Sequence, residues 1–400
     1  MSIDVVIQAS AGATGGLIRL LKSLRSADYA SCTAPHLTIE LAGTIDASTE
    51  EFLRDFKWPP PQVYNPTRVR QLSLRHRISR STLTEEESSV RFLESFWPSN
   101  PGDSHVLVLT PEAELSPKFY HCEAAFPLPQ SLPHFLSLVW PFMLTHFAID
   151  LKYTLLEYRY SNEAVLQEWD KRLMGISLDL PLTLLDATEP FTPPSKRDIL
   201  PAAAEEEANE PVSFLWQAPN SNAVLFPGDK WVELHGFVTQ FVAAQHTHPA
   251  LPAVFADKLV SKRYPSWLEH ALRLARARGY WTLYPGRLTA RNLAAVHNEL
   301  YKVPEEYAAE VLADTPERAE VTLAAGPLLD SLPDGGTLPP FDDLPLLGWD
   351  GATTTLAKLD AAAAEYASQI RSAIGGCENF LPEDLVPHRS ASDLFCVVDT

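Results

Sequence analysis

What most constrains this chain is a strand–helix alternation running through its first 110 residues. Four short aliphatic and β-branched runs, IDVVIQAS (3–10), HLTIEL (36–41), QLSLRHRI (71–78) and SHVLVL (104–109), are divided by segments of helical character. After the first run AGATGG supplies a flexible turn, and Leu17, Ile18, Leu20, Leu21 and Leu24 then follow helical spacing. An acidic helix is expected around STEEFLRDF. The stretch TEEESSVRFLESF (84–96) opens on Thr84 with Glu87 three residues later, a capping box that starts another helix. Strands that alternate with helices pair mostly in parallel, so the expected fold is α/β, a mixed, mostly parallel Rossmann-like sheet flanked by helices. Ligands of such sheets bind beyond the carboxyl ends of the strands. The turn ASAGATGG and the residues after the fourth strand share that edge.

The fourth strand ends in an acidic pair, HVLVLTPEAELSPKF (105–119), with Glu112 and Glu114 one residue apart. Two carboxylates at that spacing can enter one crevice and hold a hard divalent cation together with phosphate oxygens. The same spacing also suits a solvated turn. Arg75 and Arg77 alternate on LRHRI, where guanidinium groups suit bidentate contact with a diphosphate. They read equally as the exposed face of an edge strand.

At 400 residues the chain exceeds the usual single core, and residues 1–325 read as the main domain with 326–400 as a carboxyl-terminal extension. That extension carries one Ala-rich helix (357–373) and a polar tail. Residues 121–150 break the alternation. From Ala124 to Ile149 there is no Asp, Glu, Lys or Arg, yet Pro127, Pro129, Pro133 and Pro141 make a poor membrane span. The stretch reads as a hydrophobic loop that associates with a membrane or partner through 124–149, or as a foreign insert such as a translated intron. Deleting it would join SPKFYH to LKYTLLEYRYSN as one amphipathic helix. Residues 186–211 read as a proline- and glutamate-rich surface loop. Order is expected again from 214 to 238 and in a helix within 265–286.

A formal charge of −19 opposes nonspecific binding to nucleic acid or an anionic surface. The four cysteines, Cys32, Cys122, Cys377 and Cys396, are far apart and carry no metal signature. AGATGG lacks the Gly-Lys-Ser/Thr of a phosphate-binding loop and the spacing of a dinucleotide fingerprint, and no GxSxG elbow is present.

The order of strand, Ala/Gly-rich turn, helix, second strand ending in an acid, and then VLVLTPEAELSP resembles the GT-A catalytic domain of family 2 glycosyltransferases. WLEHALRLARARGYWTLYP is similar to that family's acidic motif, helix and Gly-Tyr-strand block, and APNSNAVLFPGDKW to its acceptor loop. FLWQAPNSNAVLF, GDKWVELH and RARGYWTLYP resemble the fungal type 2 glycosyltransferases. The resemblance covers roughly residues 3–325 outside the two atypical stretches.

The resemblance implies transfer of a sugar from a nucleotide-sugar donor to a glycan or protein-linked acceptor, assisted by manganese or magnesium and inverting. It gives Glu112 and Glu114 the role of the Asp-x-Asp metal motif, each one methylene longer than the family's Asp. Glu40 takes the place of the acid that binds the nucleotide's base or ribose, or is a strand-end charge. Glu269 takes the place of the general base that deprotonates the acceptor. It also stands i,i+4 from Arg273 on one helix, where the two can simply pair. Asp229 and Glu233 are the alternates. His297, in AAVHNELY, falls where such enzymes place a histidine that completes the metal site.

For the acceptor, Asn220, Ser221 and Asn222 offer amides and a hydroxyl, or form a turn. Trp231 and Trp267 offer faces for a sugar ring, or fill the core. The family points to Golgi or endoplasmic reticulum membranes, whereas the chain as given reads as soluble. A catalytically degenerate GT-A domain that binds or scaffolds is the alternative function.

Overall fold

The computed structural model describes residues 2–29, 34–61, 63, 71–77, 83–117, 119–120, 171–195, 212–247, 255, 257–309, 344–377 and 393–396. In chain order the elements are β1 (Ser2–Ala9), α1 (Thr14–Ser26), β2 (Leu37–Leu41), α2 (Ala47–Asp55), β3 (Leu72–His76), α3 (Glu85–Leu93), β4 (Ser104–Leu109) and β5 (Ala113–Leu115). They continue with β6 (Leu173–Ser177), β7 (Phe214–Trp216), β8 (Ala223–Phe226), α4 (Gly228–Thr247), α5 (Trp267–Arg278), β9 (Trp281–Tyr284), α6 (Arg287–Leu293), β10 (Ala294–Val296), β11 (Leu346–Leu347) and α7 (Leu356–Ala373).

The four strands expected in the first third are present as β1 to β4. Nine strands form one sheet in the order β11-β7-β9-β6-β8-β4-β1-β2-β3, with β5 and β10 paired in a second, small sheet. β1 lies parallel to β2 and β4, β2 to β3, and β6 to β9. β8 is antiparallel to both β4 and β6, and β7 is antiparallel to β9, so the sheet is mixed and mostly parallel.

The centre of the sheet is buried on both faces, which explains why its strands read as continuous apolar runs. Val5, Ile7, Leu107 and Leu109 face one layer, with Leu17, Leu20, Leu21 and Leu24 of α1. Val6, Val106 and Val108 face the other, with Phe92 of α3, Trp231 and Phe237 of α4, Trp267 and Leu272 of α5, and Ile370 of α7. α3 starts with the expected capping box: the Glu87 amide donates to Thr84 Oγ1 at 3.1 Å, and the Thr84 amide to Glu87 Oε2 at 3.2 Å.

Two expectations need adjustment. The helix expected within 265–286 stops at Arg278, because Gly279 takes a left-handed conformation (φ +65°) that ends it and admits β9. Part of the expected carboxyl-terminal extension belongs to the same core. β11 extends the sheet beside β7, and Tyr366, Ala367 and Ile370 of α7 are buried against the helical layer. Cys377 and Cys396 form a disulfide, so two of the widely spaced cysteines are neighbours in space. It fastens a segment whose Leu394 and Phe395 are buried. Residues 121–150 lie outside the described residues, as do Cys32, Cys122 and the 186–211 loop beyond residue 195. Among the described residues no helix is long and apolar enough to cross a membrane.

Candidate functional site

The chain moves outward from β1 in both directions, through β2 and β3 on one side and to β4 on the other. That reversal is a topological switch point, and the loops after β1 and β4 part to leave a crevice there. Its floor is tight. A Cβ added at Gly16, in the first turn of α1, would meet the Pro111 carbonyl oxygen at 2.7 Å, so the helix start and the loop after β4 touch backbone to backbone.

Three chambers follow one another along this crevice. The central one is bounded by Gln8 near the end of β1, Ser10 just after it, Glu112 after β4, Ser221, Arg263 and Lys302. A chamber at the β2 side shares Gln8 and Ser10 and adds Glu40, Arg91, Glu305 and Glu306. A chamber at the β6 side shares Leu180 to Leu182, Val296 and Asn298 with the central one and adds Asp179, Arg287 and Arg291.

Among the described residues Glu112 is the one Asp or Glu lining the central chamber. It is 7% exposed, and its Oε1 accepts the Lys302 amide at 3.2 Å. Burial pushes its carboxyl up to about 7, against the downward pull of its hydrogen bonds and of the Lys302 charge. Ser221, 1% exposed in the same wall, has a buried hydroxyl oxygen with no hydrogen-bond partner among the described residues. Buried polar atoms are ordinarily satisfied, so an orphan hydroxyl at a cavity wall marks a place for a ligand or water.

The acidic pair is divided. Glu112 faces the central chamber, whereas Glu114, on β5, lines a separate groove with Gly15, Arg19 and Lys22 of α1. Its Oε2 lies 2.7 Å from His297 Nε2, and Glu299 approaches the other ring nitrogen at 3.3 Å. β10 pairs antiparallel with β5 and the His297 amide donates to the Glu112 carbonyl, which is how a residue far along the chain reaches Glu114. Glu114 and His297 therefore meet as expected, but Glu112 does not join them. Among the described residues no group of three or more His, Cys, Asp or Glu side chains is placed to hold a metal ion. These donors do not fit a cation seated in the central chamber.

At the other end Glu40 is buried between Arg75 Nε at 2.8 Å and Arg91 Nε at 3.1 Å. Burial raises its carboxyl and the two arginines pull it back. Arg75 also donates to the Glu94 carbonyl at 2.8 Å. Arg77 is paired with Glu305, which also accepts the Gly43 amide at 3.0 Å. Of the two arginines expected at the diphosphate, Arg75 thus sits on the edge strand β3 and Arg77 just past its end, and both are held in ion pairs.

Several expected site residues have structural tasks instead. Glu269 is 4% exposed and does not line the crevice. Its Oε2 accepts the amides of Leu259 (3.1 Å) and Val260 (2.8 Å), and its Oε1 accepts Arg273 Nε at 2.9 Å. The i,i+4 pairing is therefore the one observed. Of the alternates, Glu233 accepts from Arg278 and Tyr280 at 2.9 Å each, and Asp229 lines none of the three chambers.

Trp231 and Trp267 are fully buried core residues and offer no face to a sugar. The Trp231 indole N–H donates to the Leu93 and Phe96 carbonyls, and the Trp267 ring stacks on Phe92 with centroids 5.1 Å apart. Trp267 still touches the site indirectly, because its N–H donates to Gln8 Oε1 at 3.0 Å and holds that side chain at the chamber edge.

Asn220 is buried with its amide on Asp179 Oδ1 at 2.5 Å, and Asn222 reaches Asp179 Oδ2 at 3.3 Å. Asn222 and Ser221 line the central chamber, while Asn220 braces it from behind. Asp179 was not singled out from the sequence. Burial raises its carboxyl to about 6, opposed by hydrogen bonds from Asn222, Asn220 and Ser177. Its signal was legible, since GISLDLP ends a strand in an acid as HLTIEL and VLVLTPE do. Lys302 and Arg263 had no such signal and reach the chamber only through tertiary structure. No protein-family model and no curated protein matches this chain.

Proposed function

We propose that the chain is a glycosyltransferase that binds a nucleotide-sugar donor in the crevice and passes its sugar to a hydroxyl of a glycan or protein-linked acceptor. One observation carries the reading. At the switch point of a mostly parallel sheet, one buried carboxyl, Glu112, lines a chamber together with the cationic side chains Arg263 and Lys302. The resemblance of the sequence to family 2 glycosyltransferases supplies the reaction class.

In this reading the cations bind the diphosphate and stabilise charge as the bond from the anomeric carbon to the leaving oxygen breaks. The acceptor oxygen forms the new bond and its proton passes to a base. Glu112, raised to about 7 by burial, is poised near the working pH to take it. Ser221, with its unsatisfied hydroxyl, positions a ligand hydroxyl. Glu40 and Arg91, at the β2 side, face the nucleoside end of the donor. Because Glu112, Glu114 and His297 do not converge, no step is routed through a cation.

A second reading, a domain that binds without turnover, is favoured by the commitment of Glu269 to backbone amides and Arg273. Calorimetric titration of the chain with UDP and GDP, with and without manganese, tests both. We expect one nucleotide to bind and Lys302→Ala to weaken it at least tenfold. Release of diphosphate nucleotide from the matching sugar donor, lost in Glu112→Gln, marks the transferase, and binding without release marks the module. Absence of binding to either nucleotide by the folded chain refutes both.

A further inference from the structure

The chamber at the β6 side has a cavity volume of about 210 Å³, against about 90 Å³ for the central chamber, and the two share Leu180 to Leu182, Val296 and Asn298 as lining. Two arginines, Arg287 and Arg291, line it from α6. They stand four residues apart, one turn of the helix, so their side chains leave the same face. Neither guanidinium has an ion-pair or hydrogen-bond partner among the described residues, and both residues are exposed at the chamber. Other arginines of the chain are engaged: Arg75 and Arg91 with Glu40, Arg77 with Glu305, Arg273 with Glu269, Arg278 with Glu233 and Asp393.

Among the described residues Asp179 is the one acid lining this chamber, and its two carboxylate oxygens accept from Asn220 and Asn222. Among the described residues the lining is therefore cationic, in a chain whose formal charge is −19. Paired planar guanidinium groups match the geometry of an oxyanion, which each can contact through two parallel N–H donors.

We infer that the β6-side chamber recognises an acceptor sugar bearing an oxyanion, a phosphate or a carboxylate, held by Arg287 and Arg291 while the sugar hydroxyls reach the central chamber. The inference rests on the donor-site reading for the word acceptor. The anion site itself does not depend on it.

The test uses the full chain with three monosaccharide probes, glucose 6-phosphate, glucuronate and uncharged glucose, titrated by calorimetry at two salt concentrations. The wild type is compared with the double variant Arg287→Gln, Arg291→Gln, whose fold is checked by thermal melting. We expect one charged probe to bind at least tenfold more tightly than glucose, to weaken with salt, and to lose that advantage in the double variant. Preference for glucose 6-phosphate assigns a phosphorylated acceptor, and preference for glucuronate a uronic one. Equal affinity for the three probes, or charged-probe affinity that survives the double substitution, overturns the inference.

UDP and GDP titrations of the same two proteins separate the two readings. Nucleotide binding lost in the double variant would place the arginines in the donor site and end the acceptor assignment while leaving the transferase intact. Charged-probe binding in a chain that takes neither nucleotide would keep the anion site and end the transferase reading.

Discussion

Glu269→Ala distinguishes a structural carboxylate from a catalytic one. Glu269 and Arg273 are both about 5% exposed, at 4% and 5% respectively, and they pair at 2.9 Å. Truncating the glutamate leaves a buried guanidinium without its partner and frees the amides of Leu259 and Val260. Removing one partner of a buried ion pair costs about 3–5 kcal/mol. The unfolding entropy of a 400-residue chain is about 0.8 kcal/mol/K, so the melting temperature should fall by about 4–6 °C.

Differential scanning calorimetry measures the loss. Replacing both partners, Glu269→Leu with Arg273→Met, should recover part of it, because the uncompensated charge is gone although the two amides remain unpaired. Nucleotide affinity of Glu269→Ala, measured below its melting transition, should equal that of the wild type. A variant that melts like the wild type and yet loses donor turnover would refute this reasoning and restore Glu269 to the role the family resemblance implies.

Two further predictions concern the centre of the crevice and the carboxyl-terminal segment. The Glu112 carboxyl has a folded-state value of about 7, above its ordinary 4.5, so the native chain binds more protons than the unfolded one between those values. Stability should therefore decline as pH rises from 4.5 to 7, by about 3 kcal/mol from this group, and remain lower above. In Glu112→Gln that decline should be absent, and denaturant titrations at pH 5 and pH 8 that show the same difference as the wild type would contradict it. The Cys377–Cys396 disulfide spans 19 residues, for which loop closure gives about 3 kcal/mol. Non-reducing peptide mapping should recover the linked pair, and Cys377→Ser with Cys396→Ser should lower stability by that order. Free thiols at both positions in the untreated chain would refute the pairing.

The order of elements was open to a sequence reader because local chemistry sets it. Apolar runs of β-branched residues, the Thr84–Glu87 cap and the glycine-rich turn each act within a few residues. The sheet direction followed, since strands separated by helices cross over to lie parallel. The same logic exposed Glu40 and Glu112, acids that close buried strands and so reach the ligand edge. Asp179 obeys that rule as well, but it sits between two stretches whose composition breaks the pattern.

Tertiary structure alone decided which charges are free to act. Glu269 and Arg273 carry the same i,i+4 text whether they pair in the core or open onto a cleft, and only the approach of residues 259–260 commits the carboxylate. Glu112 and Glu114 are neighbours in sequence, yet one faces the crevice and the other His297, because β5 pairs with a strand some 180 residues away. Tryptophans at Trp231 and Trp267 have one composition for core and for sugar contact, and burial resolves them. Lys302, Arg287 and Arg291 join the crevice by long-range packing, which no window of sequence contains. Local propensity is written in adjacent residues, whereas the desolvation and pairing that make a side chain reactive depend on groups brought together only by the completed fold.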